Sequence, residues 1–215
     1  MEKEENEVKL ETCTDVLLTK EKILESVVYQ MVNREANIEA LEEMPHIQIL
    51  DLAAVYCCLF GLENGCTFKL DVDCEICRQY GIRDGELEAA AMRNTEKMGF
   101  FAIGLDEAIG MPEIALSIYV LTNRERLYGA SVMLYEGYFR ILAEQMGTDL
   151  YILPSSIHEV IAVPVKGMDP ADLQDLVKET NSTEGMMEPH EVLSNNVYKY
   201  GRGEGLTCAA SDTKK

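Results

Sequence analysis

Leu150-Tyr151-Ile152-Leu153-Pro154-Ser155-Ser156-Ile157-His158-Glu159-Val160-Ile161-Ala162-Val163-Pro164-Val165 is the stretch that decides the fold. Residues 150–153 and 160–165 are aliphatic, aromatic and β-branched, which suits a pleated and buried surface. Between them, Pro154-Ser155-Ser156-Ile157-His158 has the Pro and Ser content of a turn. So short a link joins antiparallel neighbours, because a parallel return needs a crossover of a dozen or more residues.

Working outward, residues 136–146 place Tyr138, Ile141, Leu142 and Met146 on one side at helical spacing, with Gly147 just past the end. Downstream, Asp169-Pro170 opens a helix in the favoured way, Asp as cap and Pro in the first position. Leu173, Leu176, Val177 and Thr180 form its stripe. Upstream, residues 117–121 and 127–134 read as strands joined by a turn at 122–126. The order from Ser117 is strand, strand, helix, strand, strand, helix. Its short strand links predict an α+β fold, an antiparallel sheet with helices packed on it, and not a parallel α/β sheet.

The first half is less regular. Residues 1–12 are charged and aperiodic, a disordered tip. An N-terminal α+β part follows over 13–97. It holds a helix at 17–26, a β-prone run to Val32, an acidic helix over 34–44 ended by Pro45, and a buried strand over 50–60. Asn64-Gly65 then supplies a hairpin turn, and Cys66, Phe68 and Leu70 alternate with Thr67, Lys69 and Asp71. Two helices come next, over 72–80 and from Asp84 as N-cap, the second with Glu86 in its first turn and Leu87, Ala90 and Ala91 on one face. Residues 98–116 read as a loop or internal boundary. The C-terminal part, 117–205, ends in a short helix at 189–194 and a Gly-rich hairpin, before a tail over 206–215. No internal repeat is present.

The chain has 215 residues, enough for a self-sufficient core, and a net charge of −19 from 38 acidic and 19 basic side chains. Such a surface repels phosphates, so direct nucleic-acid and anionic-membrane binding are excluded. The acidity serves solubility or, alternatively, mimics nucleic acid before a basic groove. The longest apolar stretch, 50–62, is broken by Asp51 and is too short to cross a bilayer. Met1-Glu2-Lys3-Glu4-Glu5 is the opposite of a signal peptide, so a cytoplasmic location is expected. The seven cysteines are irregularly spaced, as expected of reduced thiols, and adjacent Cys57 and Cys58 sit in an apolar run as core residues.

Cys74-Glu75-Ile76-Cys77 could be half a zinc site or a redox pair, but no second pair accompanies it, and i, i+3 spacing also fits packing on one buried helix face. Asp71-x-Asp73-x-Glu75 begins like a calcium loop, yet Ile76 and Ile82 stand where Gly and Glu are required. Gly201, Gly203 and Gly205 lead into no helix and read as a β-turn rather than a phosphate cradle. His46, His158 and His190 have no ligand spacing. No cofactor and no metal are expected.

Ser155, Ser156, His158 and Glu159 are the one place where hydroxyl, imidazole and carboxylate lie together, as a nucleophile with a base requires. The plainer alternative is a turn whose hydroxyls bond local backbone. Asn123, Arg124 and Arg126 put basic charge on a turn of an acidic protein, a second candidate for binding an anion or partner.

Tyr119-Val120-Leu121-Thr122-Asn123, Gly129-Ala130 and Tyr151-Ile152-Leu153-Pro154-Ser155-Ser156-Ile157-His158-Glu159-Val160 resemble a bacterial family labelled a domain of unknown function and common in gut-dwelling anaerobes. Met44-Pro45-His46, Leu50-Asp51-Leu52-Ala53, residues 169–181 and Glu191-Val192-Leu193-Ser194 fit the same pattern, so the resemblance covers about residues 20–200. It implies a short version or fragment of an architecture that often carries an additional N-terminal segment, and it implies no activity. Three functions follow from the sequence. The first is a non-enzymatic binding or regulatory protein whose partner is another protein. The second is an acidic mimic blocking a nucleic-acid-binding effector of the restriction or CRISPR type. The third is a hydrolase using Ser155 or Ser156 with His158.

Overall fold

The computed structural model describes residues 18–61, 67–111, 117–183 and 188–211. The expected tip at 1–12, the Asn64-Gly65 turn and the last residues of the expected tail lie outside them. Helix α1 (Lys20–Ser26), capped by Thr19, leads into β1 (Val27–Asn33). Then come α2 (Ile38–Glu43), β2 (His46–Ile49), β3 (Leu52–Gly61) and β4 (Thr67–Asp71). The run Leu52-Ala53-Ala54-Val55-Tyr56-Cys57-Cys58 is buried on both faces and sits at the centre of the first sheet. β1 flanks it from Val27↔Cys58 to Asn33↔Leu52, while β2 and β4 share its other edge, all antiparallel. Strand β2 is short enough to escape sequence reading, although exposed His46 and Gln48 alternate with half-buried Ile47 and Ile49.

The period-two rule divides this sheet. Tyr29, Met31, Ala54, Tyr56 and Cys58 enter the main core. Gln30 and Val32, paired with Val55 and Ala53, point the other way, where Leu41 of α2 and Met44 cover part of the face.

Helices α3 (Cys74–Gln79) and α4 (Asp84–Lys97) follow, the second capped at Arg83, one residue before the Asp84 expected, because Glu86 accepts the Arg83 backbone N–H. Residues 98–111 are not an open loop. They form β5 (Phe100–Gly104) and α5 (Leu105–Ala108), and β5 is the edge of a second sheet. That sheet is six-stranded and wholly antiparallel, in the order β10-β9-β7-β8-β6-β5. Its remaining strands are β6 (Tyr119–Asn123), β7 (Leu150–Ser156), β8 (Glu159–Pro164), β9 (Val197–Gly201) and β10 (Gly205–Ala210).

The expected β7–β8 hairpin is present, but tighter than Pro154 suggests. Pro154, Ser155 and Ser156 prolong β7 past a bulge, Ser156 pairs Glu159, and only Ile157 and His158 turn. Residues 127–134, expected as a strand, are instead a 3-10 helix over Gly129–Leu134. Tyr128 at φ 55° turns the chain, and Gly129 lies against Thr122 and the His158 carbonyl. From Ser117 the order is therefore strand, 3-10 helix, helix, strand, strand, helix, with the 3-10 helix standing where the second strand was expected. Helix α6 (Glu136–Met146) ends at Gly147 as expected, but buries Phe139, Leu142 and Ala143 and leaves Ile141 53% exposed. Helix α7 (Pro170–Ser182) buries Leu173, Gln174 and Val177 and leaves Leu176 55% exposed. Residues 189–191 are a turn, not a helix, and residues 206–210 belong to β10, not a tail.

One core cluster joins the inner faces of both sheets with α1, α4, α6 and the 3-10 helix, so the two halves of the sequence share a single interior. A second cluster lies between the other face of the second sheet and α7. The fold is α+β with antiparallel sheets, as expected. No helix among the described residues is long and apolar enough to cross a membrane.

Candidate functional site

Residues 188–196 link α7 to β9 and bridge the two sheets through polar contacts. Ile157 N–H donates to the Glu191 carbonyl (3.1 Å), and His158 Nε2 lies 3.5 Å from Glu191 Oε1. Asn33 Nδ2 donates to the Leu193 carbonyl at 2.7 Å. Ser194 Oγ and the Tyr198 hydroxyl donate to the two oxygens of Asp51, at 2.6 and 2.8 Å. Asn196 N–H donates back to Ser194 Oγ at 2.9 Å. Burial, with Asp51 alongside, raises the Tyr198 phenol far above its ordinary range, so it acts as a fixed donor.

Two clefts flank this segment and meet at Ala36. One, of about 560 Å³, is polar, lined by Asn33, Glu35, Asp51, Ser194, Asn195 and Asn196. The other, of about 520 Å³, lies on the outer face of the first sheet. Gln30, Val32 and Val55 form its floor, and Leu41, Met44 and Val192 are among its walls. Lys69 Nζ, 2.7 Å from Asp71 Oδ1, stands in its lining as an ion pair.

Gln30 is the unusual member. It is 8% exposed, and its buried Oε1 has no hydrogen-bond partner among the described residues. Leaving such an acceptor unmade costs roughly 1–3 kcal/mol, and an apolar side chain of the same shape would avoid it. Gln174 Nε2 on α7 shares this condition, but no cleft described above includes it.

The sequence candidates separate. His158 Nδ1 accepts the Tyr128 backbone N–H at 3.2 Å, the two rings stack with centroids 5.7 Å apart, and the far nitrogen faces Glu191. Ser156 Oγ accepts the His158 backbone N–H at 3.1 Å. Ser155 lines a niche of about 70 Å³ under α7 with Leu153, Ile161 and Val177. Glu159 opens β8 opposite Ser156. The imidazole thus packs against Tyr128 and the 188–192 segment, and its nitrogens face groups other than these serines. Asn123 is fully buried and closes its turn, donating to the Leu127 carbonyl (2.7 Å) and accepting Leu127 N–H (3.2 Å). Arg124 and Arg126 are exposed, so the three residues of that turn do not converge on one ligand.

Among the described residues no group of three His, Cys, Asp or Glu side chains is arranged for a metal. Cys77 is half-buried and packs with Ile76 against the main core, whereas Cys74 is exposed, so the two cysteines do not share one buried helix face. Cys57 and Cys58 are buried as expected, and desolvation pushes both thiols up to about 12. His46 Nδ1 meets the Met44 carbonyl at 2.9 Å, and His190 lines the cleft over Gln30. A third surface cleft, lined by Leu24, Arg83, Glu86 and Arg93, has its carboxylate engaged: Arg83 and Lys20 hold Glu86 at about 2.

Sequence reading missed Gln30, Asp51, Ser194 and Tyr198. Gln30 was visible as the one polar residue in Val27-Val28-Tyr29-Gln30-Met31-Val32. Asp51 was visible as the interruption of an apolar run, and both Asp51 and Ser194 lie in stretches that carried the family resemblance.

A family model described as Family of unknown function (DUF5688) matches residues 1–202. No curated protein and no solved structure matches the chain.

Proposed function

The chain belongs to this family of unknown function, and from that premise we propose that it is a non-enzymatic binding protein whose site is the cleft over Gln30. The buried, unpartnered Gln30 Oε1 carries the proposal. A strand position that pays for a polar group without satisfying it is the kind of local inconsistency that marks a functional position. The cleft volume of about 520 Å³ falls in the range of small-molecule sites and is lined as they are, mostly apolar with a few placed polar groups. A small molecule fits it better than the flat face a protein partner needs. The hydrolase alternative loses support because the His158 ring nitrogens face Tyr128 N–H and Glu191. The buried and exposed free thiols suit a reducing cytoplasm.

A fragment screen by two-dimensional NMR tests this. Shifts that cluster on Gln30, Val32, Leu41, Val55 and Val192 are expected. Shifts scattered over the surface, or centred on Ser155 and Ile161, would count against it.

A further inference from the structure

Cys74 and Cys77 are a pair that the cleft over Gln30 leaves unused. Packing accounts for Cys77, which lies against the main core, but not for the exposed Cys74. We infer that the two form a thiol–disulfide exchange site, which takes a low-molecular-weight disulfide and closes a reversible Cys74–Cys77 bond. The inference is independent of the binding site proposed above.

Both thiols stand on α3, whose first turn Asp73 closes. Its carboxylate accepts the Ile76 N–H at 2.7 Å and its carbonyl accepts the Cys77 N–H at 3.1 Å. Residues three apart on a helix have Cα atoms about 5 Å apart, inside the span of about 4.4–6.8 Å that a disulfide allows. Their Cβ atoms, about 5–6 Å apart, must close to about 4 Å. A bond formed against that strain, at an exposed position, is readily reduced again. Cys74 is exposed and meets the incoming disulfide first. Cys77 is half-buried, and burial, with Cys74 and the Asp84 and Asp73 carboxylates, raises its thiol, so it reacts second. Cys58 on β3 is the competing partner, but it is fully buried and its thiol donates to the Ile23 carbonyl at 3.6 Å. In the first step the Cys74 thiolate attacks one sulfur of the disulfide, forming a mixed disulfide and releasing one thiolate. Cys77 then loses its proton to solvent and attacks Cys74 Sγ, releasing the second thiolate. Two protein thiols are oxidised and one small disulfide is reduced to two thiols.

Glutathione disulfide, added to the full folded chain before an acid quench, trypsin digestion and mass spectrometry, tests this. Cleavage after Lys69 and Arg78 isolates Cys74 and Cys77 in peptide 70–78. That peptide is expected to lose two hydrogens, to carry no glutathione, and to regain both hydrogens in excess reduced glutathione. Cys77→Ser is expected to trap glutathione on Cys74, and Cys74→Ser to leave the peptide unmodified. A wild-type peptide that keeps glutathione on Cys74, stays a dithiol, or is cross-linked to the peptide of another cysteine would overturn the inference.

Discussion

The Tyr198 hydroxyl donates to Asp51 Oδ1 at 2.8 Å, joining β9 of the second sheet to the β2–β3 turn of the first across 147 positions of sequence. Ser194 Oγ holds the other carboxylate oxygen at 2.6 Å. The carboxylate is thus the shared acceptor of two hydroxyls, one from a fully buried phenol. Tyr198→Phe leaves Asp51 with one donor and is expected to cost about 1.5 kcal/mol. Asp51→Ala strands both hydroxyls and is expected to cost about 3 kcal/mol. Urea unfolding of the two variants and of the double variant checks this. The double variant is expected to cost less than the sum, because the two residues act on one bond. Strict additivity would contradict the coupling.

Gly129 is fixed by close approach. A Cβ there would meet the His158 carbonyl oxygen and Thr122 Oγ1, which already bond each other at 2.8 Å. Gly129→Ala is expected to lower stability by about 1–3 kcal/mol, the usual cost of overpacking. It is also expected to disturb the NMR signals of Thr122 and His158 ahead of those of α7. A neutral outcome in thermal unfolding would show that the turn relaxes freely.

Much of the fold was legible because its signals are local. Asp169 caps α7 by accepting Ala171 N–H at 2.9 Å, and Gly147 ends α6 at φ 69°, both as their neighbours in sequence require. The segment 127–134 was not legible. Its composition fits a strand, and it turns into a 3-10 helix because Gly129 must pass close to a loop about thirty residues away. The site divides in the same manner. A glutamine in an apolar strand can be seen in sequence, but its lack of a partner is a property of the surroundings that α2 and residues 189–192 create. Asp51, Ser194 and Tyr198 share no local pattern at all.

Glu86 predicts an acid limb of stability. Arg83, Lys20 and the Arg83 backbone N–H lower its pKa from 4.5 to about 2. A carboxyl depressed in the folded state contributes stability that is present above its unfolded value and lost as pH falls through the folded one. Stability is therefore expected to fall between about pH 4.5 and pH 2. Glu86→Gln is expected to flatten that limb when unfolding is measured across the window. Because the group is only half-buried, high salt is expected to shrink the difference. An unchanged limb in the variant would place the acid sensitivity elsewhere.

The cysteines divide by burial. Cys57 and Cys58 are enclosed and held as thiols, pushed up to about 12, whereas Cys74 and Cys208 are exposed. Alkylation of the folded protein at pH 8, read by mass spectrometry, is expected to label Cys74 and Cys208 well before Cys57 and Cys58. Early labelling of Cys57 would mean that the outer face of the first sheet opens to solvent.

Gln30 is the residue on which the functional account stands, and one substitution tests it. Replacing Gln30 by Met removes a buried acceptor that has no partner among the described residues and keeps the volume of the side chain. Thermal unfolding of wild type and Gln30→Met is the direct measurement. The account predicts that Gln30→Met melts higher than wild type, by about 1 kcal/mol of added stability. A Gln30→Met protein that melts lower would contradict it.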